Sequence, residues 1–230
     1  MADYLEENSE TWEEVYSRGH TPKYPYESVI SFVFGYAPKD RPREEVRILE
    51  TGFGTGNNLW FAAREGFDVA GVEVSPSAVA FARERFARDG LRGDLRVGSF
   101  TELPFEDESF DLVIDRGALT CVGREAQKRA IGEIRRVLRT GGKFHYNPLS
   151  DAHSAYRSGR LAADGVSLDV SHGKLAGLGA LYFSSRRDLD EMLADGWRIL
   201  ELKHNMQVGM LAPYDETHAF WLVIAEKVAG

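Results

Sequence analysis

The 230 residues carry 28 Lys and Arg against 36 Asp and Glu, a net charge of −8, and a surface of that sign repels phosphate backbones unless a local basic patch overrides it. Hydrophobic residues at 43% and aromatics at 11% exclude a disordered chain, and the length suits one large domain spanning residues 1–230. The single cysteine, Cys121, excludes an internal disulfide and a cysteine-ligated zinc site, which fits a reducing cytoplasm.

The N-terminal stretch is acidic and no apolar run approaches a bilayer span, so neither a targeting segment nor a membrane helix is expected. Residues 1–45 read as a helical cover, with one helix around Thr11 to Ser17 and another from Tyr26 to Tyr36. In residues 46–147 short apolar runs alternate with amphipathic segments, the pattern of strand, crossover helix, parallel strand. Strands are predicted at Val46 to Glu50, Asp68 to Val74, Asp94 to Val97 and Phe110 to Ile114, with helices at Asn57 to Glu65, Pro76 to Arg88 and Glu125 to Arg139. Pro76 sits just inside a first turn, where a missing N–H costs least. Gly141-Gly142 is expected to stop the third of these helices, and Lys143 to Asn147 to form a fifth strand ended by Pro148. Residues 150–181 hold many Gly, Ala and Ser and no firm strand; so long a loose stretch is a lid or a disordered excursion, and the lid is the expectation. Residues 185–226 supply a helix from Ser185 to Leu193 and strands at Trp197 to Lys203 and Ala219 to Glu226, antiparallel because no helix separates them.

The informative run is Glu50-Thr51-Gly52-Phe53-Gly54-Thr55-Gly56, placed where the first strand ends and a helix begins. Glycines there let the backbone turn sharply and approach a ligand, and the helix start offers unpaired N–H groups to a nucleotide-like compound. A dinucleotide fingerprint needs glycine at the first, third and sixth positions, and counting from Gly52 the sixth is Asn57. Glu50 moreover places a carboxylate beside the turn, which suits a cationic ligand better than a pyrophosphate. Glu73 closes the second strand, where a carboxylate accepts hydrogen bonds from both hydroxyls of a ribose.

These residues resemble motif I and its follower in class I S-adenosylmethionine-dependent methyltransferases. Gly98-Ser99-Phe100-Thr101-Glu102-Leu103-Pro104-Phe105, Phe110-Asp111-Leu112-Val113-Ile114-Asp115 and Val137-Leu138-Arg139-Thr140-Gly141-Gly142 resemble later segments of that family. The resemblance covers about residues 46 to 147 and, more weakly, the last two strands. It implies an α/β fold: a Rossmann-like seven-stranded sheet, mostly parallel with an antiparallel C-terminal strand, and helices on both faces. It also implies S-adenosyl-L-methionine as cofactor, with Gly52, Gly54 and Gly56 along the methionine part, Glu50 near its ammonium, Glu73 on the ribose and Val74 beside the adenine. Where many members have an Asp that binds the adenine amino group this chain has Ser99, which leaves Phe100 as the surer adenine contact, unless Phe100 is simply core.

Ligands of open α/β sheets bind beyond the carboxyl ends of the strands, which points to Asp115-Arg116-Gly117-Ala118-Leu119 and to His145-Tyr146-Asn147-Pro148 for the methyl acceptor. The first of these runs, with Trp12-x-x-x-Tyr16-x-x-Gly19, resembles the thiopurine-methyltransferase and NodS-like branches, which implies a small-molecule acceptor. No Asn/Asp-Pro-Pro-Tyr/Phe run follows the fourth strand, so DNA is not the expected substrate, and an RNA or protein methyltransferase or a non-catalytic binding protein are the alternatives. Asp115 is a candidate for cofactor contact or catalysis, or else caps the next turn. His145 is a candidate base or a core residue, and His153 and His172 are lid histidines that contact substrate and assist catalysis respectively, or are plain loop residues. Arg116 is positioned to clamp an anionic acceptor or to pair with Asp115. Trp12, Tyr16, Tyr24 and Tyr26 either fold over the cofactor, with Tyr24 reaching the substrate, or anchor helices to the sheet.

Overall fold

In the computed structural model, which describes residues 4–171, 173–212 and 215–229, two helices come first, α1 (Leu5–Ser17) and α2 (Glu27–Tyr36). An alternating series follows: β1 (Arg47–Thr51), α3 (Asn57–Arg64), β2 (Asp68–Glu73), α4 (Pro76–Arg88), β3 (Asp94–Val97), β4 (Phe110–Asp115), α5 (Arg124–Val137) and β5 (Leu138–Tyr146). Beyond β5 lie three very short strands, β6 (Arg160–Leu161), β7 (Val166–Leu168) and β8 (Leu181–Tyr182), then α6 (Arg186–Met192), β9 (Trp197–Val208) and β10 (Thr217–Lys227).

Seven strands form one sheet in the order β3-β2-β1-β4-β5-β10-β9. The first five run parallel, and β10 is antiparallel to both β5 and β9. This is the Rossmann-like sheet that the sequence leads one to expect. The parallel connections β1–β2, β2–β3 and β4–β5 run through α3, α4 and α5, so both faces are covered and the strands β1, β2 and β4 are almost wholly buried. On one face α5 presents Ala126, Ala130, Ile131, Ile134 and Val137 to Val113, Phe144 and Val223. On the other, α2, α3 and α4 pack Val29, Phe32, Leu59, Val79 and Phe86 against Ile48, Leu112 and Ile114.

Local signals place the helix ends. The Ser75 hydroxyl accepts the Ala78 N–H at 3.1 Å and Pro76 opens α4, while Ser185 and Asp188 form a reciprocal capping box on α6. Elsewhere the boundaries differ from expectation. Helix α5 ends at Val137, and Gly141-Gly142 lie within β5 instead of terminating the helix. There the register slips, Phe110 facing Leu138 but Leu112 facing Lys143, and Gly141 takes a φ of +81° in the resulting bulge. Strand β9 runs five residues past its expected end at Lys203 because, as an edge strand that is largely exposed, it carries no apolar alternation to mark its length.

Residues 150–181 also differ from expectation, since they contain a small antiparallel sheet, β6-β7-β8, with single turns of 3-10 helix at Ser154–Ser158, Ala163–Gly165 and Gly173–Leu175. Ala155, Val170 and Leu181 of this segment join Cys121 and Phe183 in a small apolar cluster, against which Trp12 packs. Among the described residues, no helix is long and apolar enough to cross a membrane.

Candidate active site

The neighbours of β1 are β2, which follows it, and β4, which comes after a chain reversal, so the crevice beyond their carboxyl ends lies at the switch point of the sheet. The glycine turn fills that crevice. Gly52, Gly54 and Gly56 have φ of +61°, +56° and +74°, a conformation in which any side chain is strained. Space forbids one as well: a Cβ on Gly52 would collide with Ala118, and one on Gly54 would sit 2.5 Å from the Tyr16 hydroxyl. The Gly52 N–H donates to the Val72 carbonyl at 2.8 Å, which fixes the turn to the end of β2.

Three buried carboxylates surround the turn. Glu50 is 2% exposed; its Oε1 accepts from Asn58 Nδ2 at 2.7 Å, and its Oε2 is buried with no hydrogen-bond partner. Burial, opposed by the Asn58 bond and reinforced by repulsion from Asp115 and Glu73, pushes its carboxyl up to about 8. Glu73 accepts from the Gly54 N–H at 2.9 Å and the Ser75 N–H at 3.0 Å, and burial raises its pKa against those bonds. Asp115 accepts from the Leu119 N–H at 2.9 Å and the Gly117 N–H at 3.3 Å, and burial lifts it to about 6.

A cleft of about 600 Å³, open to solvent, runs past the turn. Gly52, Glu73, Val74, Phe100 and Arg116 line it, together with Trp12 and Tyr16. Gly54 lies beneath Tyr16 and Gly56 packs against Ala82, while Glu50 sits behind the turn, outside the lining. Other candidates are placed elsewhere. The Asp115 carboxylate is turned into its own loop as a cap and does not line the cleft. The Ser99 hydroxyl bonds Thr101 at 2.7 Å and is likewise outside the lining.

His145, His153 and Tyr24 lie away from the cleft, in the places that the plainer of their two sequence readings gives them. His145 is 0% exposed, its ring 5.3 Å from that of Phe32 on the α2 face of the sheet, and burial pushes its pKa down to about 4. It is a core histidine. His153 caps the turn at Ser154, accepting from the Ala155 N–H at 3.0 Å, and its Nε2 lies 2.9 Å from His218 Nδ1, away from the cleft. Tyr24 is 71% exposed and contributes its backbone carbonyl to Asn57, not its ring to the cleft. His172 lies outside the described residues.

Sequence reasoning missed much of α1. Leu5, Asn8 and Ser9 line the cleft, and so does Cys121, which burial pushes up to about 12. The Asn8 side chain bonds the carbonyls of Cys121 and Ala180, the latter at 2.9 Å, and accepts from the Ala180 N–H at 2.9 Å. Glu13, one helical turn on, bonds the hydroxyls of Ser75 and Ser77 and accepts from the Ser77 N–H at 3.2 Å, at the start of α4. Helix α1 is thereby strapped across the crevice from α4 to residue 180. No local signal announces this, because every partner is more than 60 residues away.

Residues 48–142 match the family model described as a methyltransferase domain. That part of the chain is similar to a methyltransferase domain. Outside the family model, a probable phthiotriol/phenolphthiotriol dimycocerosates methyltransferase from Mycobacterium ulcerans is 32% identical over 132 residues, covering 56% of this chain and 49% of that protein. A solved SAM-dependent methyltransferase from Methanosarcina mazei superposes with a TM-score of 0.70 at 20% identity, over 90% of this chain and 100% of that one. A structure from work on thioacetal formation in echinomycin biosynthesis superposes with a TM-score of 0.71 at 22% identity, over 96% and 93%. The chain spans less than half the length of the first curated relatives it matches, 41%, 49% and 36%.

The cofactor that such a domain implies is S-adenosylmethionine, and the residues present fit it. The turn leaves bare backbone where a Cβ would intrude, and the buried Glu50 Oε2 lacks a donor that an ammonium supplies. Glu73 lines the cleft itself, and a carboxylate there suits hydroxyl or cationic groups and opposes a pyrophosphate.

Proposed function

We propose that the protein is an S-adenosylmethionine-dependent methyltransferase whose acceptor is a small molecule. The observation that carries this reading is the unpartnered, fully buried Oε2 of Glu50 beside a glycine turn that admits no side chain. When bound, the cofactor supplies an electrophilic methyl on a sulfonium, open to in-line displacement.

In this reading Glu50 receives the ammonium end, the backbone of Gly52 to Gly56 follows the methionine part, and Glu73 turns from backbone N–H groups to ribose hydroxyls. Val74 and Phe100 flank the base, as both line the cleft. The chain contributes chiefly alignment and the exclusion of water, which suffice for most of the acceleration of a displacement. Helix α1, with Trp12 and Tyr16, serves as one cover, and residues 150–181, joined to it through Asn8 and Ala180, as the other. Burial holds the Tyr16 hydroxyl and the Cys121 thiol protonated at neutral pH, so neither removes a proton from the acceptor.

The acceptor's size is read from the enclosure by α1 and from the net charge of −8, which opposes a nucleic-acid substrate. Isotope-labelled methyl transfer from S-adenosylmethionine into a metabolite extract tests the function, alongside calorimetry with S-adenosylmethionine and NAD. Label in a small product is the expected result. Affinity for NAD alone, or label only in RNA or protein, would overturn the reading.

A further inference from the structure

Arg116 is a partly buried cation in the field of the Asp115 and Glu50 carboxylates but in contact with neither. Asp115, its neighbour, is engaged with the N–H groups of Gly117 and Leu119 and does not bond it, and among the described residues Arg116 forms no ion pair. Its Nε is buried with no hydrogen-bond partner. The guanidinium lies 4.0 Å from the centre of the Tyr26 ring and 5.9 Å from that of Phe220, so aromatic faces flank it. Such contacts offset part of the desolvation of a cation but satisfy none of its five N–H donors.

Its position is equally informative. Arg116 lines both the cofactor cleft and a second cavity, of about 1200 Å³ and open to solvent, between α2 and the β9-β10 pair. That second cavity has a polar lining of Asn147, Asn205 and Gln207, together with Glu27 and a Lys203–Glu201 ion pair that leaves Lys203 neutralised and Arg116 the cation still open to a ligand. Asn147 is 2% exposed; its Nδ2 donates to the Trp221 carbonyl, which fixes the amide orientation and leaves its Oδ1 buried without a donor. The wall shared with the cofactor cleft thus presents an unmatched Nε donor on an unpaired guanidinium, and the cavity beyond it an unmatched acceptor.

Resting on the methyltransferase reading, we propose that the acceptor is a small anion, carrying a carboxylate or a phosphate, that enters through the α2/β10 cavity and is held by Arg116. A planar guanidinium between aromatic rings suits a bidentate oxyanion, and Asn147 suits a hydroxyl or amine on the same molecule. The geometry opposes a neutral, wholly apolar acceptor, which would leave the guanidinium and the amide oxygen unsatisfied.

Calorimetry with S-adenosylhomocysteine on wild type, Arg116→Gln and Arg116→Lys comes first. All three are expected to bind within about threefold of one another, since Arg116 is assigned to the acceptor. A selective loss of more than about tenfold in R116Q would assign Arg116 to the cofactor's own carboxylate and overturn the proposal. No binding by wild type would remove the methyltransferase reading itself, and the proposal with it. The S-adenosylhomocysteine-loaded proteins are then melted with inorganic phosphate or propionate against chloride of equal ionic strength. At least one anion should raise the wild-type midpoint, with the rise absent in R116Q and partly kept in R116K, the second variant guarding against misfolding in the first. An equal rise in wild type and R116Q, or none in wild type, would overturn the proposal.

A metabolite extract separated by charge before labelling gives the last arm. Label should enter the anionic fraction, with KM raised roughly 10- to 100-fold in R116Q, and prior phosphatase treatment distinguishes phosphate from carboxylate. Label confined to the neutral or cationic fractions would refute the assignment.

Discussion

Replacing Glu50 by Gln removes one charge and almost no volume, and it leaves the Asn58 bond, 2.7 Å in the wild type, intact through Oε1. In the free protein the Glu50 carboxyl has been pushed up to about 8 by burial. At pH 7 such a group is about nine-tenths protonated, and a cation bound against it restores the carboxylate, releasing close to one proton per ligand. Calorimetry of S-adenosylmethionine binding at pH 7, in buffers of different ionisation enthalpy, measures that proton. Wild type should release it and E50Q should not. The lost charge-assisted contact should also weaken binding by about 1.5 to 3 kcal/mol, roughly 10- to 150-fold. Stability without ligand moves the opposite way. Because the folded pKa lies above the unfolded one of 4.5, the unfolded state loses its proton first, and wild-type stability falls as pH rises from 4.5 towards 8. Over that window E50Q should gain on wild type by on the order of 4 kcal/mol, read by urea denaturation. Equal proton release by the two proteins, with equal affinity, would refute the placing of the ammonium at Glu50.

Tyr16→Ala should weaken S-adenosylhomocysteine binding without unfolding the chain, whereas Tyr24→Ala, at a residue 71% exposed, should change neither affinity nor melting temperature. Gly54→Ala places a methyl at a φ of +56° and against the Tyr16 hydroxyl; a stability loss of about 1 to 2 kcal/mol is expected, together with loss of detectable cofactor binding in the same titration. His145 is neutral when folded, its pKa down at about 4 instead of 6.5, so the unfolded state binds the extra proton and wild-type stability falls as pH drops from 6.5 to 4. His145→Phe should abolish that dependence, up to about 3 kcal/mol in denaturation experiments, and leave no histidine limb missing from the pH–rate profile. Asn8→Ala unpairs the Ala180 N–H and the carbonyls of Cys121 and Ala180; it should cost about 1 to 3 kcal/mol and raise amide exchange across α1.

The parts of the site that were legible are those made by neighbours in sequence. Glu50, the glycine turn and the helix that follows form one strand-turn-helix unit, and Glu73 ends the adjacent parallel strand, so their spacing carries their chemistry. The start of α4 was legible for the same reason, since Ser75 and Pro76 act within one turn. His145 was ambiguous because alternation along a strand separates two faces without saying which is wet. Phe144 and Tyr146 face the α5 side, His145 faces α2, and in a sheet covered on both faces each direction is core. Gly141-Gly142 misled because a glycine pair serves a helix end or a bulge equally well, and only the partner strand decides.

Asn8, Glu13 and Tyr16 were beyond reach because their roles exist only once α1 lies across the sheet. Trp12 and Tyr16 mark an aromatic face, yet nothing local says whether it meets core or ligand. The same holds for Arg116, whose neighbour Asp115 is the obvious partner on paper. In the folded chain the turn after β4 claims both oxygens of that carboxylate, and the arginine is directed between Tyr26 and Phe220. Two unmatched buried atoms of opposite preference result, an acceptor at Glu50 Oε2 behind the cleft and a donor at Arg116 Nε on the wall shared with the second cavity. Buried polar atoms left without partners cost stability, and a fold that retains both, one behind the glycine turn and one on the shared wall, is complementary to ligands that bring the missing charges. The polarity of the pair also orders them, cation towards β1 and anion towards α2 and β10.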